Sequence, residues 1–178
     1  MTQSSRNIFF ILFFLVIIIL FIFLLSKKEE EVKEEKYIKK SDTEKNISDI
    51  RCDSSLWEHV YHAKRLIVYE QCKTVSGIIK LVRKEPDGDY HIRLKPDSEY
   101  ENLLNEKNYE HQKGCLVLEP ICANKVTQTN AIEDCRGFIN KVYIPGLNEH
   151  VKVTGSYVLD TQHGWMEIHP VTKIETLK

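Results

Sequence analysis

The apolar residues divide the chain into three stretches. Ile8 to Leu25 is an unbroken run of eighteen apolar residues, residues 27–50 are mostly charged or polar, and residues 51–178 mix both kinds in short alternating runs. As a helix, the first run would span roughly 27 Å, close to the thickness of a bilayer core. The pattern predicts an N-terminal transmembrane anchor (1–26), a charged linker or stalk (27–50) and one soluble domain (51–178).

A cleaved signal peptide is the alternative to an anchor. Its apolar region normally has ~7 to 15 residues and is followed by small residues that the peptidase recognises. The run here is longer and ends in Leu25, Ser26 and Lys27, without such a site. We therefore expect an uncleaved single-pass segment whose contact with the lipid bilayer runs through Ile8 to Leu25.

The apolar positions of residues 51–178 predict a mainly β domain. Leu66 to Lys84 is rich in β-branched residues and contains Gly77, which indicates a long first strand with a bulge or sharp bend. A Pro-Asp-Gly-Asp turn and an alternating segment follow it, as in a β-hairpin. Further strands are predicted within Cys115 to Val126, after Val151 and around Met166. Five short strands in a domain of this size predict a small closed or nearly closed β-barrel.

Short helices or ordered loops are predicted after Ser54, from Ser98 to Lys113 and from Thr129 to Cys135. A bent first strand, a tight hairpin, a middle strand, a helical interruption and a closing hairpin resemble an oligonucleotide/oligosaccharide-binding (OB) barrel over Leu66 to Leu177. The resemblance implies a five-stranded OB-like barrel with short helices, and the apolar run Ile8 to Leu25 predicts a single N-terminal transmembrane helix before it.

The segments LWEHVYHAKRL, LEPICANKV and VTGSYVLDTQHGWMEIHPVTKI resemble a group of uncharacterised extracytoplasmic microbial proteins. In that group the closing hairpin carries an HGW-x-EIHPV ending. The resemblance implies a location outside the cytoplasm and carries no activity.

Charge argues against one class of partner. The chain has 25 basic and 26 acidic residues, and residues 41–178 hold 18 basic and 21 acidic ones, a balance of −3. A strongly basic nucleic-acid binder is therefore not expected.

Two signals disagree on membrane orientation. Between residues 27 and 40 six lysines follow the apolar run, and only Arg6 precedes it, which by the positive-inside rule places the domain in the cytoplasm. Five cysteines lie between residues 52 and 135, a density typical of an oxidising compartment. We favour the cysteines and expect a single-pass protein of the cell membrane with an extracytoplasmic domain.

The cysteines form no zinc-binding spacing. The preferred pairing joins Cys52 to Cys72 and Cys122 to Cys135, and it leaves Cys115 free. The alternative is that all five are buried thiols that pack as small apolar side chains.

Residues suited to binding or chemistry concentrate in the segment HGWMEIHP, which begins at residue 163. Alternate side chains on a strand share a face, so Met166 and Ile168 are expected in the core. The opposite face then carries His163, Trp165, Glu167 and His169. An aromatic ring flanked by hydrogen-bonding groups suits a sugar, a base or a peptide. The alternative is an exposed polar row in which Trp165 packs over the barrel end and His169 is hydrogen-bonded locally.

The same residues are of metal-ligating types. Neighbours two apart on a strand lie ~6 to 7 Å from each other, so one ion would need a further ligand such as Asp160 or His91. A metal-dependent hydrolase is therefore one alternative function. The chain has no G-x-S-x-G elbow, phosphate-binding glycine loop or H-E-x-x-H motif, and we expect no cofactor and no catalysis.

A basic stripe is predicted on the outer face of the first hairpin. Its members are Lys80, Lys84, His91, Arg93 and Lys95. It is either a solvated face or an anion or nucleic-acid surface, although binding of single strands usually adds aromatic residues, and none is interleaved here. The overall expectation is a membrane-anchored binding or interaction module for a protein partner or a small ligand, or an accessory subunit of a membrane complex.

Overall fold

The computed structural model describes residues 52–177. The predicted anchor, the stalk and the two boundaries between the three predicted segments lie outside the described residues, and they stay predictions. Within residues 52–177, no helix combines the length and the apolar character that crossing a bilayer requires.

The described residues form a mainly β unit. Its strands are β1 (Leu66–Lys84), β2 (Tyr90–Pro96), β3 (Leu116–Leu118), β4 (His150–Asp160) and β5 (Met166–Thr176). Four 3₁₀-helices, Ser54–His59, Ala63–Arg65, Ser98–Leu103 and Thr129–Ala131, and one α-helix, α1 (Glu106–Gln112), complete the elements of this part of the chain. The first strand has the bounds that the sequence predicts.

The strand predicted within Cys115 to Val126 is shorter than expected. It ends at Leu118 because Pro120 has no N–H to donate and the Cys122 backbone takes a left-handed φ of 48°. The Pro120 carbonyl instead accepts the Tyr90 N–H at 3.1 Å. The chain therefore leaves the sheet early and packs across its outer face.

The five strands close into a ring in the order β1-β2-β3-β5-β4, with β4 paired back to β1. The short β3–β5 pair is parallel, and the other pairs are antiparallel. β1 reaches both neighbours because its first part pairs with β4, up to Ile78, and its second part pairs with β2, from Gly77 onward. Gly77 lies at this crossover, but the irregularities in the pairing of β1 lie between Val68 and Lys73 and between Ile79 and Leu81, not at the residue where the sequence predicts a bulge or bend.

Apolar side chains fill the inside of the ring. Fully buried members are Val75, Ile79, Ile92, Leu94, Leu116, Leu118, Val151, Val153, Ile168 and Val171. A second, smaller apolar cluster lies on the outer side and joins the first 3₁₀-helix to the sheet through Leu56, Val60, Leu66, Ile121 and Val158. Burial of each such side chain contributes roughly 1.5 to 3 kcal/mol.

The predicted disulfide pairing is confirmed. Cys52 is bonded to Cys72 and Cys122 to Cys135, with Cα–Cα distances of 5.4 and 5.5 Å. Cys115 is a buried free thiol. The first bond ties the start of the described chain to β1, and the second closes the loop that follows β3.

Candidate functional site

A cleft of about 440 Å³ opens between the β1–β2 turn and the β4–β5 turn. Its floor is the outer face of β2, β3 and β5, where Arg93 pairs with Val117 and Val117 pairs with Glu167. The residues that line it are Arg65, Arg83, Glu85, Pro86, Asp87, Asp89, His91, Arg93, His111, Gln112, Glu119, Gln128, His163, Trp165 and Glu167. The ring therefore brings together the HGWMEIH segment and part of the predicted basic stripe.

The exposed-row interpretation of the HGWMEIH segment is wrong for its strand residues. Glu167 is 2% exposed and His169 is 1% exposed, and Met166 and Ile168 on the other face are buried too. On the outer side, the amide of Asn108 in α1 donates to the Met166 carbonyl and accepts the Met166 N–H, and the first 3₁₀-helix packs against β5. Both faces of β5 are thus buried from Met166 to Val171.

Glu167 fixes the orientation of Trp165. The indole Nε1–H donates to Oε1 of Glu167 at 2.5 Å, and Nδ1 of His169 is 3.0 Å from Oε2. Nε2 of His169 is buried and has no hydrogen-bond partner within residues 52–177. One buried carboxylate therefore holds an indole and an imidazole at the same time.

Asp160 fixes His163 in the same way. Its Oδ1 accepts the backbone N–H groups of Gln162 at 2.8 Å and of His163 at 3.2 Å. Its Oδ2 is 2.9 Å from Nδ1 of His163 and 3.1 Å from Nε of Arg65. The turn holds the His163 ring flat against the Trp165 ring, with centroids 4.4 Å apart and planes 2° apart.

A third hydrogen-bond network lies under the side of the cleft opposite the His163–Trp165 stack. Arg93 Nε donates to Oε1 of Gln112 at 2.7 Å, so this atom is the amide oxygen and an acceptor. Nε2 of His91 lies 3.1 Å from the same oxygen and is therefore also a donor. Nδ1 of His91 lies 2.9 Å from Oε1 of Glu119.

Burial sets the charge of this network. It lowers the pKa of His91, and burial followed by the negative charge of Glu167 raises the pKa of Glu119 well above its ordinary value. A neutral His91 that donates from Nε2 must accept at Nδ1. The raised pKa of Glu119 matches this arrangement, in which a protonated carboxyl group donates a hydrogen bond to Nδ1 of His91.

Asp89 is also a buried acid of this cleft. Burial, followed by the nearby charge of Asp87, raises its pKa from 3.8 to about 7. Its Oδ1 accepts the Cys122 N–H at 2.8 Å, so the carboxyl group joins the hairpin turn to the disulfide loop.

Replacing Asp89 with asparagine is expected to stabilise the protein at alkaline pH. The folded state holds this proton more tightly than the unfolded chain, so the stabilisation from Asp89 is complete below about pH 4 and is lost as pH rises to about 7. Asparagine still accepts the Cys122 N–H and has no charge to desolvate. At pH 8 the variant should exceed the wild type by on the order of a few kcal/mol in urea unfolding, with little difference at pH 4. Equal effects at both pH values would contradict the assignment.

The rest of the basic stripe lies elsewhere. Lys80, Arg93 and Lys95 meet Lys113 in a groove of about 400 Å³ on the outer side of β1 and β2. Lys84 does not join them: its ammonium lies 6.0 Å above the Tyr90 ring. His91 faces the cleft instead, and Arg93 lines both spaces. A third groove, of about 510 Å³, lies beside Trp57 and the Cys52–Cys72 disulfide.

One donor set of the cleft has metal-ligand geometry. Single ligand atoms of Asp160, His163 and Glu167 all lie within 4.8 Å of one another. Asp160 is the additional ligand that the sequence suggests, whereas His169 is not a member of the set. Every oxygen of the two carboxylates already accepts a hydrogen bond or pairs with a cation, so an ion would have to displace these contacts. A second set contains Cys122 and Cys135, whose disulfide removes their thiolates.

Four important residues of the cleft are not identified by the sequence pattern: Arg65, Asp89, Gln112 and Glu119. The pattern places Asp89 in a turn and does not show that its carboxyl group is buried in a cleft. Glu119 does give a signal, because a charged residue interrupts the apolar run CLVLEPIC. Arg65 and Gln112 reach the cleft from helical segments whose local sequence gives no indication of this.

Comparison of the chain with protein-family models, curated proteins and solved structures finds no match in any of the three. The resemblances to the OB barrel and to the HGW-x-EIHPV group receive no support from these comparisons. The chemistry of the cleft is therefore the basis on which a function is assigned.

Proposed function

We propose that the chain is a membrane-anchored, extracytoplasmic binding module with an OB-like barrel, whose cleft takes a neutral saccharide. The observation that carries the proposal is the His163–Trp165 stack, held by the buried carboxylates Asp160 and Glu167 at the mouth of a polar cleft. Rings of this kind, flanked by hydrogen-bonding groups, suit the apolar faces and the hydroxyls of sugars.

The position of the cleft supports this proposal. OB barrels bind oligonucleotides and oligosaccharides at the face of strands 2 and 3 and at the loops between strands 1 and 2 and between strands 4 and 5. The cleft here is bounded by the corresponding parts of the ring. This correspondence also supports the OB-like assignment, which otherwise rests on strand order.

The charge balance of the cleft favours a neutral ligand. Three arginines and five carboxyl groups line it. Two of the acids, Asp89 and Glu119, have pKa values raised by burial, that of Asp89 to about 7, which reduces the negative charge of the cleft relative to five exposed carboxylates. Positive and negative groups then come close to balance, which gives no strong field for a phosphate backbone or a polycation.

His163 and Trp165 form a rigid aromatic wall of the cleft, and this rigidity favours a binding role over a purely structural one. Trp165 is held through its Nε1 by Glu167 and on one ring face by His163. A side chain fixed before the ligand arrives loses little entropy on binding. The rings of His91 and His111 lie beside Trp165, steeply inclined to it, at centroid distances of 6.3 and 6.4 Å. They extend the aromatic wall into the cleft.

Location and tethering are supported by separate observations. The described residues contain two disulfides. Disulfides persist in oxidising compartments and are rare in reducing ones. The apolar run Ile8 to Leu25 is long enough for an anchor.

Replacing Trp165 with alanine is expected to weaken saccharide binding at least thirtyfold, about 2 kcal/mol, because truncated central aromatic residues cost that much in binding sites. The full-length chain in a nonionic detergent without a sugar headgroup is titrated calorimetrically with neutral hexasaccharides, namely those of glucose in α and β linkage, xylose and N-acetylglucosamine. Trp57→Phe is the matched control because it alters the other tryptophan, which lines a different groove, and it should stay within twofold. Binding that fails for every sugar, or that depends on Trp57, would refute the proposal.

A metal-dependent hydrolase is the second candidate, and the Asp160, His163 and Glu167 set favours it. Elemental analysis of the same preparations, after equilibration with Zn²⁺ or Mn²⁺ and dialysis, separates the two functions. One retained equivalent of metal that His163→Ala removes would favour the hydrolase. Sugar binding by a wild type that retains no metal, and its loss in Trp165→Ala, would favour the binding module.

A further inference from the structure

Four cations line the groove on the outer side of β1 and β2, apart from the cleft. Its lining residues are Lys80, Leu81, Arg93, Lys95, Lys113 and Cys115. No carboxyl group of residues 52–177 belongs to this lining. Since the whole chain has a net charge of −1, a basic composition does not explain the concentration.

Backbone irregularities occur at two of the four cations, Lys80 and Lys113. The β1–β2 register shifts between Ile79 and Leu81, so Lys80 is an extra residue in the pairing, and such bulges change the direction of a side chain. Lys113 takes a left-handed φ of 58° where α1 ends. The buried thiol of Cys115 experiences the positive charge of all four residues, although burial still raises its pKa.

Little negative charge compensates these cations. Lys95 pairs with Glu101 at 3.1 Å, and both side chains are largely exposed, so water screens the pair. Among the described residues, the partner of the Lys80 ammonium is the neutral amide of Asn148, at 3.3 Å. Arg93 is oriented by neutral acceptors, the Gln112 side chain and the His111 carbonyl. Like charges held close together without counter-charges destabilise the protein unless an anion joins them.

We propose that this groove is an oxyanion site that takes a phosphate or sulfate group. Arg93 supplies planar donors in a fixed direction, and the three lysines supply mobile point charges around it, a combination suited to tetrahedral oxyanions. A single-stranded nucleic acid fits less well, because no aromatic ring on which a base would stack lines the groove. The site is separate from the saccharide cleft and shares only Arg93 with it.

The test is calorimetric titration of the full-length chain with inorganic phosphate and with inorganic sulfate at low chloride, in a nonionic detergent that adds no anions. Both oxyanions should bind with saturation, and added chloride should weaken them. The double variant Lys80→Gln/Lys113→Gln should lose at least tenfold in phosphate affinity. Lys84→Gln is the matched control, since it removes a lysine of the same strand outside the groove, and it should stay within twofold.

Thermal unfolding followed by circular dichroism verifies that each variant is folded. Absence of saturable heat with both oxyanions would overturn the proposal, as would an equal loss in Lys84→Gln. Binding of a single-stranded oligodeoxynucleotide when neither oxyanion binds would overturn it in favour of nucleic acid. None of these measurements involves Trp165, so the oxyanion site and the saccharide cleft succeed or fail separately.

Discussion

Alanine in place of Gly77 is expected to destabilise the protein by about 3 kcal/mol or more, or to prevent folding. A Cβ atom at this position would lie 2.3 Å from the carbonyl oxygen of Lys95, 2.8 Å from Cα of Pro96 and 2.9 Å from the carbonyl carbon of Lys95. All three atoms belong to the β2 backbone, so no rotamer change relieves the overlap. Because β1 passes from β4 to β2 at this residue, the clash opens the ring.

Gly137→Ala is the matched control for this variant. Gly137 has a φ of +74°, but apart from Gly137 and its two chain neighbours no heavy atom of residues 52–177 lies within 4 Å of the place that a Cβ atom would take there. Its replacement should cost only about 1 kcal/mol, from backbone strain without steric overlap. Urea unfolding followed by far-ultraviolet circular dichroism measures both variants. Similar costs at the two positions would show that the close approach at Gly77 does not determine ring closure.

Removal of the Cys52–Cys72 disulfide is expected to lower the free energy of unfolding by about 3 kcal/mol. The bond joins residues separated by 20 positions, and its loss frees the unfolded chain to sample many more conformations. It also releases the segment that carries Leu56 and Val60 into the outer apolar cluster. Urea unfolding of Cys52→Ser/Cys72→Ser against the wild type measures the effect.

Cys115→Ala is the control for the disulfide variant. It removes the free thiol while both bonds stay in place, and its cost should be about 1 kcal/mol from a small cavity.

Maleimide labelling of the wild type from native membranes, without reductant, should modify one cysteine after denaturation. Labelling of all five would contradict both the disulfides and the extracytoplasmic location.

The local periodicity of the sequence is sufficient to predict much of the fold. The bounds of β1 and the turn after it follow from residues that are close in sequence. The two disulfides join cysteines 20 and 13 positions apart. Closure of the ring depends instead on the pairing of β1 with β4 and of β3 with β5, whose register no local pattern encodes.

The candidate site is predictable only in part, for the same physical reason. Alternation correctly places Glu167 and His169 on the face opposite Ile168, but it does not reveal that α1 and the chain after β3 cover that face. Burial then changes the chemistry, because it raises the pKa of Glu119 and lowers that of His91. Such shifts depend on contacts between distant parts of the chain.

The saccharide cleft at Trp165 is tested most directly by the two indole resonances of the ¹⁵N-labelled full-length chain. The protein has two tryptophans, and Trp57→Phe assigns their Nε1–H signals. The indole N–H of Trp165 donates a hydrogen bond to Glu167. Titration with the tightest-binding neutral hexasaccharide should shift this signal and leave the Trp57 signal in place. A Trp165 signal that stays unchanged at saturating sugar, or a shift confined to Trp57, would contradict the assignment of the cleft.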